Sequence, residues 1–277
     1  MNDIDRSDIP SARFPNLFSV KTVIEQGKQL AKTYQVTVVA LDDIVVKYGR
    51  GVYKSEALAM QLVRDAATDV PLSQLHAYFT EMAKDLNGEG RCGYLVMEKV
   101  PGIPLIEALP RLDEQSCDNI ASQLQTYVSS LRSIDNAGKW GGLFHYLHRP
   151  FTKEYWSSGL REPKITESAS SIDFSRPSMF FHGDLVPENI MVDEASGSIT
   201  SIIDWKRAGW YPYFWDESLV SMRLSAYQSA RTTSDRWTRI YKLAMGNDAD
   251  QGAVSAFCGA QFYAFLQGSE EYGSRSP

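Results

Sequence analysis

The stretch from Phe180 to Asp193, FFHGDLVPENIMVD, sets His182, Asp184 and Asn189 between apolar runs that each read as a buried strand. Gly-Asp and Pro-Glu-Asn are ordinary turn chemistry and would suffice to join two strands. A plain turn does not require the polar positions found elsewhere. Lys47 ends a β-rich run, Glu56 follows on the next helical segment, and Asp204 closes the strand-like run ITSIID. Each has a bland reading by itself: Lys47 as a solvated strand end, Glu56 as a carboxylate favoured by a helix N-terminus. Together they match what phosphoryl transfer asks for. A lysine neutralises phosphate oxygens, a carboxylate holds that lysine, and oxygen ligands carry Mg2+. One more carboxylate takes the proton of the attacking hydroxyl.

The order of elements around these residues favours two lobes. SVKTVIEQGKQLAKTY carries Val20, Val23, Ile24 and Leu30 at helix-like spacing. QVTVVALDDIVVKYG gives two β-rich runs joined at Leu41-Asp42-Asp43, a hairpin that ends near Lys47. SEALAMQLVRDAA reads as a helix capped by Ser55, and LSQLHAYFTEM and RCGYLVMEKVPG read as two further strands. Beyond Pro101-Gly102 the pattern becomes helical, starting with Asp113 to Ile134, where Ile120, Leu124, Val128 and Leu131 recur. A polar, irregular stretch over 135–177 precedes the opening motif, and helical segments around 213–230, 233–245 and 250–267 finish the chain. The expected organisation is a β-rich nucleotide-binding N-lobe over 1–100 and a helical C-lobe over 101–277.

Composition narrows the class. With 277 residues, 43% of them hydrophobic, the chain buries a sizeable core, and a formal charge of −6 with scattered cations offers no basic stripe for nucleic acid. Three dispersed cysteines suggest neither a disulfide framework nor a zinc site, so they read as core thiols in a reducing compartment. No run is long enough to span a bilayer. The expectation is a cytoplasmic protein with a small-molecule substrate, no nucleic-acid or membrane partner, and no obligate protein partner in evidence.

In its motifs the chain resembles the aminoglycoside phosphotransferase-like (APH) family of the protein-kinase-like superfold. FHGDLVPENIMV is similar to the family's H-G-D-x-x-x-x-N loop, IIDW to its metal-binding strand end, and YLVMEKVPGIPL to its hinge. AGWYPYFWDESLV is similar to the segment that follows in its fungal branch. The resemblance implies an α+β, bilobal fold: a small antiparallel sheet with one helix in the N-lobe and a larger, mainly helical C-lobe. It implies ATP and Mg2+ as cofactors. Asp184 would be the catalytic base, Asn189 and Asp204 the metal ligands, Lys47 the phosphate-binding lysine and Glu56 its partner. Main-chain groups near Met97, Glu98 and Val100 would bond the adenine, and Val38, Val45 and Ile203 would sandwich it. His182 would anchor the loop structurally.

The sequence also departs from the kinase pattern. No G-x-G-x-x-G precedes Lys47; the nearest glycine is Gly27, so the turn covering the nucleotide is either the acidic Leu41–Asp43 or lies in EQGKQLAKTY. After Asp204 there is no room for a long activation segment, which disfavours protein substrates. Asp216, Glu217 and Glu154 are candidates to meet amines or hydroxyls of a small molecule, and the aromatic run Trp205, Trp210, Tyr211, Tyr213, Phe214 and Trp215 reads more readily as packing than as pocket lining. The reading that follows is an ATP- and Mg2+-dependent transfer of the γ-phosphoryl group to a small-molecule hydroxyl. A pseudokinase or nucleotide-binding scaffold, and a kinase-fold biosynthetic enzyme with altered chemistry (phosphorylation-triggered elimination, or no use of ATP), stay open as alternatives.

Overall fold

The computed structural model describes residues 8–85, 88–135, 141–142, 176–216 and 231–245. The chain forms two compact units, residues 1–108 with 187–208, and residues 109–186 with 209–277.

In the first unit, β1 (Lys28–Lys32), β2 (Thr37–Leu41), β3 (Ile44–Gly49), β4 (Leu75–Asp85) and β5 (Gly88–Glu98) form an antiparallel sheet in the order β1-β2-β3-β5-β4. Alternation sorts the side chains of β3 onto two faces. Ile44 and Val46 join Phe14, Val20, Val23, Phe79, Tyr94 and Val96 in one core, into which α1 (Leu17–Gln26) contributes its two valines. Val45 and Lys47 point to the other face, the side on which Glu56 of α2 (Lys54–Ala66) meets Lys47. Both α1 and α2 pack on this sheet.

Two local expectations need correction. The helix-like spacing does not extend to Leu30: α1 stops at Gln26, and a side chain on Gly27 would place its Cβ 2.4 Å from Val39 Cγ1, so the chain must turn there. Leu30 lies in β1 and is exposed. Nor does Ser55 cap α2. Tyr53 holds the N-cap position without a side-chain bond, and Ser55 is buried inside the first turn.

A second, three-stranded sheet in the same unit runs β10-β9-β6, formed by β6 (Ile103–Pro104), β9 (Ile190–Asp193) and β10 (Ser198–Ile202), with the short helix α3 (Leu105–Ala108) following β6. Gly102 holds φ +93°, and a Cβ there would stand 2.4 Å from the Val192 carbonyl oxygen, so the Pro101-Gly102 turn admits glycine. The Ile202 N–H donates to the Pro71 carbonyl at 2.8 Å. These pairings explain why residues 187–208 belong with the N-terminal unit, whereas the sequence reading put everything after residue 100 in the second lobe.

The second unit contains α4 (Glu114–Arg132), a small sheet ordered β7-β11-β8 from β7 (Gly141–Gly142), β8 (Met179–Phe181) and β11 (Gly209–Tyr211), and α5 (Arg231–Met245). Asp113 caps α4 by accepting from the Ser116 N–H at 2.8 Å, and Ile120, Leu124, Val128 and Leu131 are buried as their spacing requires. Helix α5 packs on α4, pinned by Arg239 on Asp118. The aromatic run is packing: Trp205 is buried in the first unit, and Trp210, Tyr211, Phe214 and Trp215 are buried in the second, with Tyr211 and Trp215 stacked at 4.2 Å. The segment expected around 233–245 is α5; most of 135–177, 213–230 and all of 250–267 lie outside the described residues. Among the described residues no helix is long and apolar enough to cross a membrane.

Candidate active site

Three of the expected residues meet directly in the first unit. Lys47 Nζ donates to both carboxylate oxygens of Glu56, at 2.9 and 2.8 Å, and to Asp204 Oδ1 at 2.8 Å. The fold makes this geometry rigid. Lys47 sits mid-sheet opposite Val38 and Leu95, Glu56 sits in the first turn of α2, and α2 packs on the 3-10 turn Trp205–Arg207 that follows Asp204. Asp204 itself adopts the left-handed region, φ 65° and ψ 59°, unusual for a residue with a side chain. The Trp205 indole, which is buried, donates to the Ile202 carbonyl at 2.8 Å and locks the turn in place.

The charges respond to burial and to one another. For Lys47, desolvation disfavours the cation, but Glu56 and Asp204 outweigh it and hold the ammonium above the usual lysine range. Burial raises the Glu56 carboxyl, with Lys47 opposing. Desolvation works in the same sense on Asp204, yet Lys47 and Lys206 outweigh it and hold this carboxyl well below the usual range. Asp204 is therefore the firmly ionised member of the pair, and acid protonates Glu56 first. A buried ion pair of this kind is weak evidence for stability, because desolvation offsets most of its attraction. Its value is positional: it presents an ammonium and a carboxylate at fixed points.

The face of the sheet that carries Lys47 is apolar around it. Val38 and Val45 share it by register, as do Ala40, Leu95 and Met97, three residues of which the sequence reading singled out Met97 alone. Along the hinge, the Glu98 N–H donates to the Gln74 carbonyl and the Lys99 N–H to the Asp43 carbonyl, while the Glu98 carbonyl accepts from Ser73 Oγ at 2.5 Å. Ile203, partly buried, donates its N–H to the Asn189 carbonyl at 2.9 Å, which ties the two segments expected to hold metal.

Both candidate turns exist: Thr33–Val36 lies between β1 and β2 and continues from KTY, and the acidic Asp42–Asp43 turn lies between β2 and β3; neither contains glycine. The Thr33 hydroxyl accepts from the N–H groups of Gln35 and Val36, and the Thr33 N–H donates to the Val36 carbonyl at 2.7 Å. The glycines lie beneath the turn: Gly49 has φ +138°, with the Gln35 carbonyl oxygen 2.1 Å from where a Cβ would sit, and the Gly51 N–H donates to that same carbonyl at 3.1 Å. Glycine at 49 thus lets the end of β3 approach the Gln35 backbone closely.

In the second unit His182 is fully buried, and its Nδ1 accepts from the Asp184 N–H at 3.3 Å, an arrangement suited to an anchor of the loop. Asp184 is buried. Asp216, a candidate to meet amines or hydroxyls of a substrate, is buried: desolvation pushes its carboxyl up to about 7, Arg132 pulls it down, and the Asp184 charge pushes it further up. Arg132 was not foreseen; it stands in the last turn of α4, where a basic side chain reads as a helix-end charge. Glu154 and Glu217 lie outside the described residues.

The sequence matches the model of the phosphotransferase enzyme family (APH) over residues 23–241, most of its length. The chain belongs to this family. Its fold is that of solved aminoglycoside phosphotransferases. The GDP complex of wild-type aminoglycoside 2'-phosphotransferase-IIIa superposes with TM-score 0.58 at 15% identity, covering 94% of both chains. A thermostable mutant of aminoglycoside phosphotransferase APH(4)-Ia in ternary complex with ADP and hygromycin B gives 0.56 at 13%, covering 92% of both. A type VIII aminoglycoside-3'-phosphotransferase gives 0.51 at 18%, covering 85% of this chain and 93% of the other. Among curated proteins none matches.

For this member of the family the donor chemistry fits Mg2+. Asp204 and Asn189 offer hard carboxylate and amide oxygens, and among the described residues no cluster of three or more His, Cys, Asp or Glu forms a dedicated metal cage. Mg2+ characteristically takes one or two carboxylates and completes its shell with water and phosphate oxygens.

Proposed function

We propose that the protein is a small-molecule kinase that moves the γ-phosphoryl group of ATP to a hydroxyl. The observation that carries this is the Lys47–Glu56–Asp204 cluster, an ammonium held by one buried carboxylate and shared with another in a family of phosphotransferases. Lys47 holds the α- and β-phosphate oxygens, and Glu56 keeps its ammonium in place. Val38, Val45 and Ile203 enclose the adenine ring. Of the hinge groups, Met97 and Glu98 contribute carbonyls, and Val100 contributes the donor, since the N–H groups of Glu98 and Lys99 are already engaged. Asp204 and Asn189 are the ligands for Mg2+, which when bound neutralises charge on the phosphate oxygens.

Asp184 accepts the proton of the substrate hydroxyl as that oxygen forms its bond to the γ-phosphorus; the bond from phosphorus to the β,γ-bridging oxygen breaks, and ADP leaves. The short run between Asp204 and the helical segment read from about residue 213, too short for a long activation segment, favours a small acceptor. The cytoplasm is the compartment in which such an enzyme meets ATP.

The test is ATP consumption across a panel of hydroxylated metabolites, with Asp184→Asn as the control. Turnover that falls by about 10²-fold or more in that variant, with its melting temperature unchanged, is expected; full activity in the variant would sink the assignment. A scaffold that binds nucleotide without turnover is the second reading, favoured by the glycine-free Thr33–Val36 turn, and it predicts nucleotide binding with no acceptor in the panel consumed.

A further inference from the structure

Lys206 belongs to the same cluster although no role has been given to it. It stands two residues after Asp204, on the 3-10 turn that Trp205 anchors, and its Nζ donates to Asp204 Oδ2 at 3.0 Å. Asp204 Oδ1 is taken by Lys47 at 2.8 Å. Each oxygen of the carboxylate proposed to hold metal therefore accepts from an ammonium group. The side chains of Lys206 and Asp204 are each 23% exposed, so neither charge is fully screened by solvent.

The charge count decides what this does. Lys47 and Lys206 balance Glu56 and Asp204, so the quartet is formally neutral before any ligand arrives. A free divalent cation gains no net negative charge by entering. It must bind at an oxygen that already accepts from an ammonium and sit beside two like charges. A bound polyphosphate reverses this balance: its oxygens offer both ammonium groups another anionic partner and supply ligands that the protein lacks.

We infer that Lys206 is a charge gate on the metal site: it closes Asp204 to free divalent cations and makes their uptake conditional on bound nucleotide. The inference rests on the phosphotransfer reading for the identity of the opening ligand, but not for the block itself. Lys206 is thus a positioning residue for the cation and not a group that touches reacting atoms.

The experiment titrates full-length protein with Mn2+ in the absence of nucleotide, following the free-ion signal by electron paramagnetic resonance. Wild type is compared with Lys206→Met, Lys206→Gln, Lys206→Arg and the double variant Lys206→Met/Asp204→Ala, and melting curves select the variants that fold. The neutral variants should bind Mn2+ at least about tenfold more tightly than wild type, because a like charge has left the site. The double variant should lose that gain, and Lys206→Arg should behave as wild type. Equal Mn2+ affinity in wild type and whichever neutral variant folds would overturn the gate. A parallel arm compares the melting temperature of wild type with ADP, with Mn2+, and with both; the gate predicts a shift with both that exceeds the sum of the separate shifts. If no nucleotide-linked shift occurs while the neutral variants still gain Mn2+, the block stands and the nucleotide reading falls.

Discussion

Asp204 and Asp216 are both largely withdrawn from water, yet their carboxyls are driven in opposite directions. In the first unit Asp204 accepts from two ammonium groups, which hold it ionised despite its desolvation. In the second unit Asp216 meets Arg132 without a hydrogen bond at its buried Oδ1 among the described residues, and burial wins, raising it to about 7. Burial alone does not fix the state of a carboxylate; hydrogen-bonded cations at its oxygens do. The role proposed for Asp204, holding a metal ion, requires an ionised carboxylate, whereas the nearby Asp184 charge adds to burial in raising Asp216.

The most severe way to break this contrast is to remove the shared cation. Lys47→Met leaves Glu56 buried without its bidentate partner and Asp204 with Lys206 alone, and should cost about 3–5 kcal/mol in urea unfolding. An unchanged unfolding midpoint would mean that the cluster is wetter than its geometry implies. Next comes Asp204→Asn, with an expected loss of about 2 kcal/mol at pH 7, since the partly exposed pair is discounted for screening. Because the native carboxyl of Asp204 is depressed, its contribution is complete above the ordinary carboxylate range and disappears as pH falls below it, so wild type and variant should converge in acid.

Asp216→Asn should show the reverse sign. A carboxyl raised in the folded state favours folding at low pH, and that contribution is lost as pH rises from the ordinary carboxylate range through about 7. The variant should lack this decline and exceed wild type above pH 7 by on the order of 2 kcal/mol, read from unfolding curves across the range. Parallel pH profiles for wild type and variant would refute the raised value. The smallest effect belongs to an exposed pair. Arg13 donates to both oxygens of Asp43 at 2.7 Å in open solvent, and Arg13→Ala should leave the unfolding midpoint unchanged within error, although Asp43 is held down at about 2.

What the sequence revealed follows from how local each signal is. Lys47 and Glu56 were legible because a lysine on a strand followed by a glutamate in the first turn of the next helix leaves few ways to pair them, and the structure pairs them bidentately. The periodic face of α4 was legible for the same reason. Leu30 misled because one apolar residue at a helical interval cannot signal that Gly27 is pressed against Val39. The affiliation of residues 187–208 with the N-terminal unit depends on strand pairing across about a hundred residues, which composition does not encode. Lys206 was invisible: a lysine after a strand end reads as solvated, and its role emerges once the left-handed turn at Asp204 brings the two side chains together. The burial of Asp216 was not legible either, because it depends on tertiary packing around Arg132 that no local pattern encodes.

The central claim is that the Lys47–Glu56–Asp204 cluster is a nucleotide-phosphate site. A thermal-shift titration with ATP, with and without Mg2+, on wild type and Asp204→Ala tests it most directly. The account predicts a rise in melting temperature that requires Mg2+ and vanishes in the variant. No shift at millimolar ATP, or an equal shift in both proteins, would contradict it.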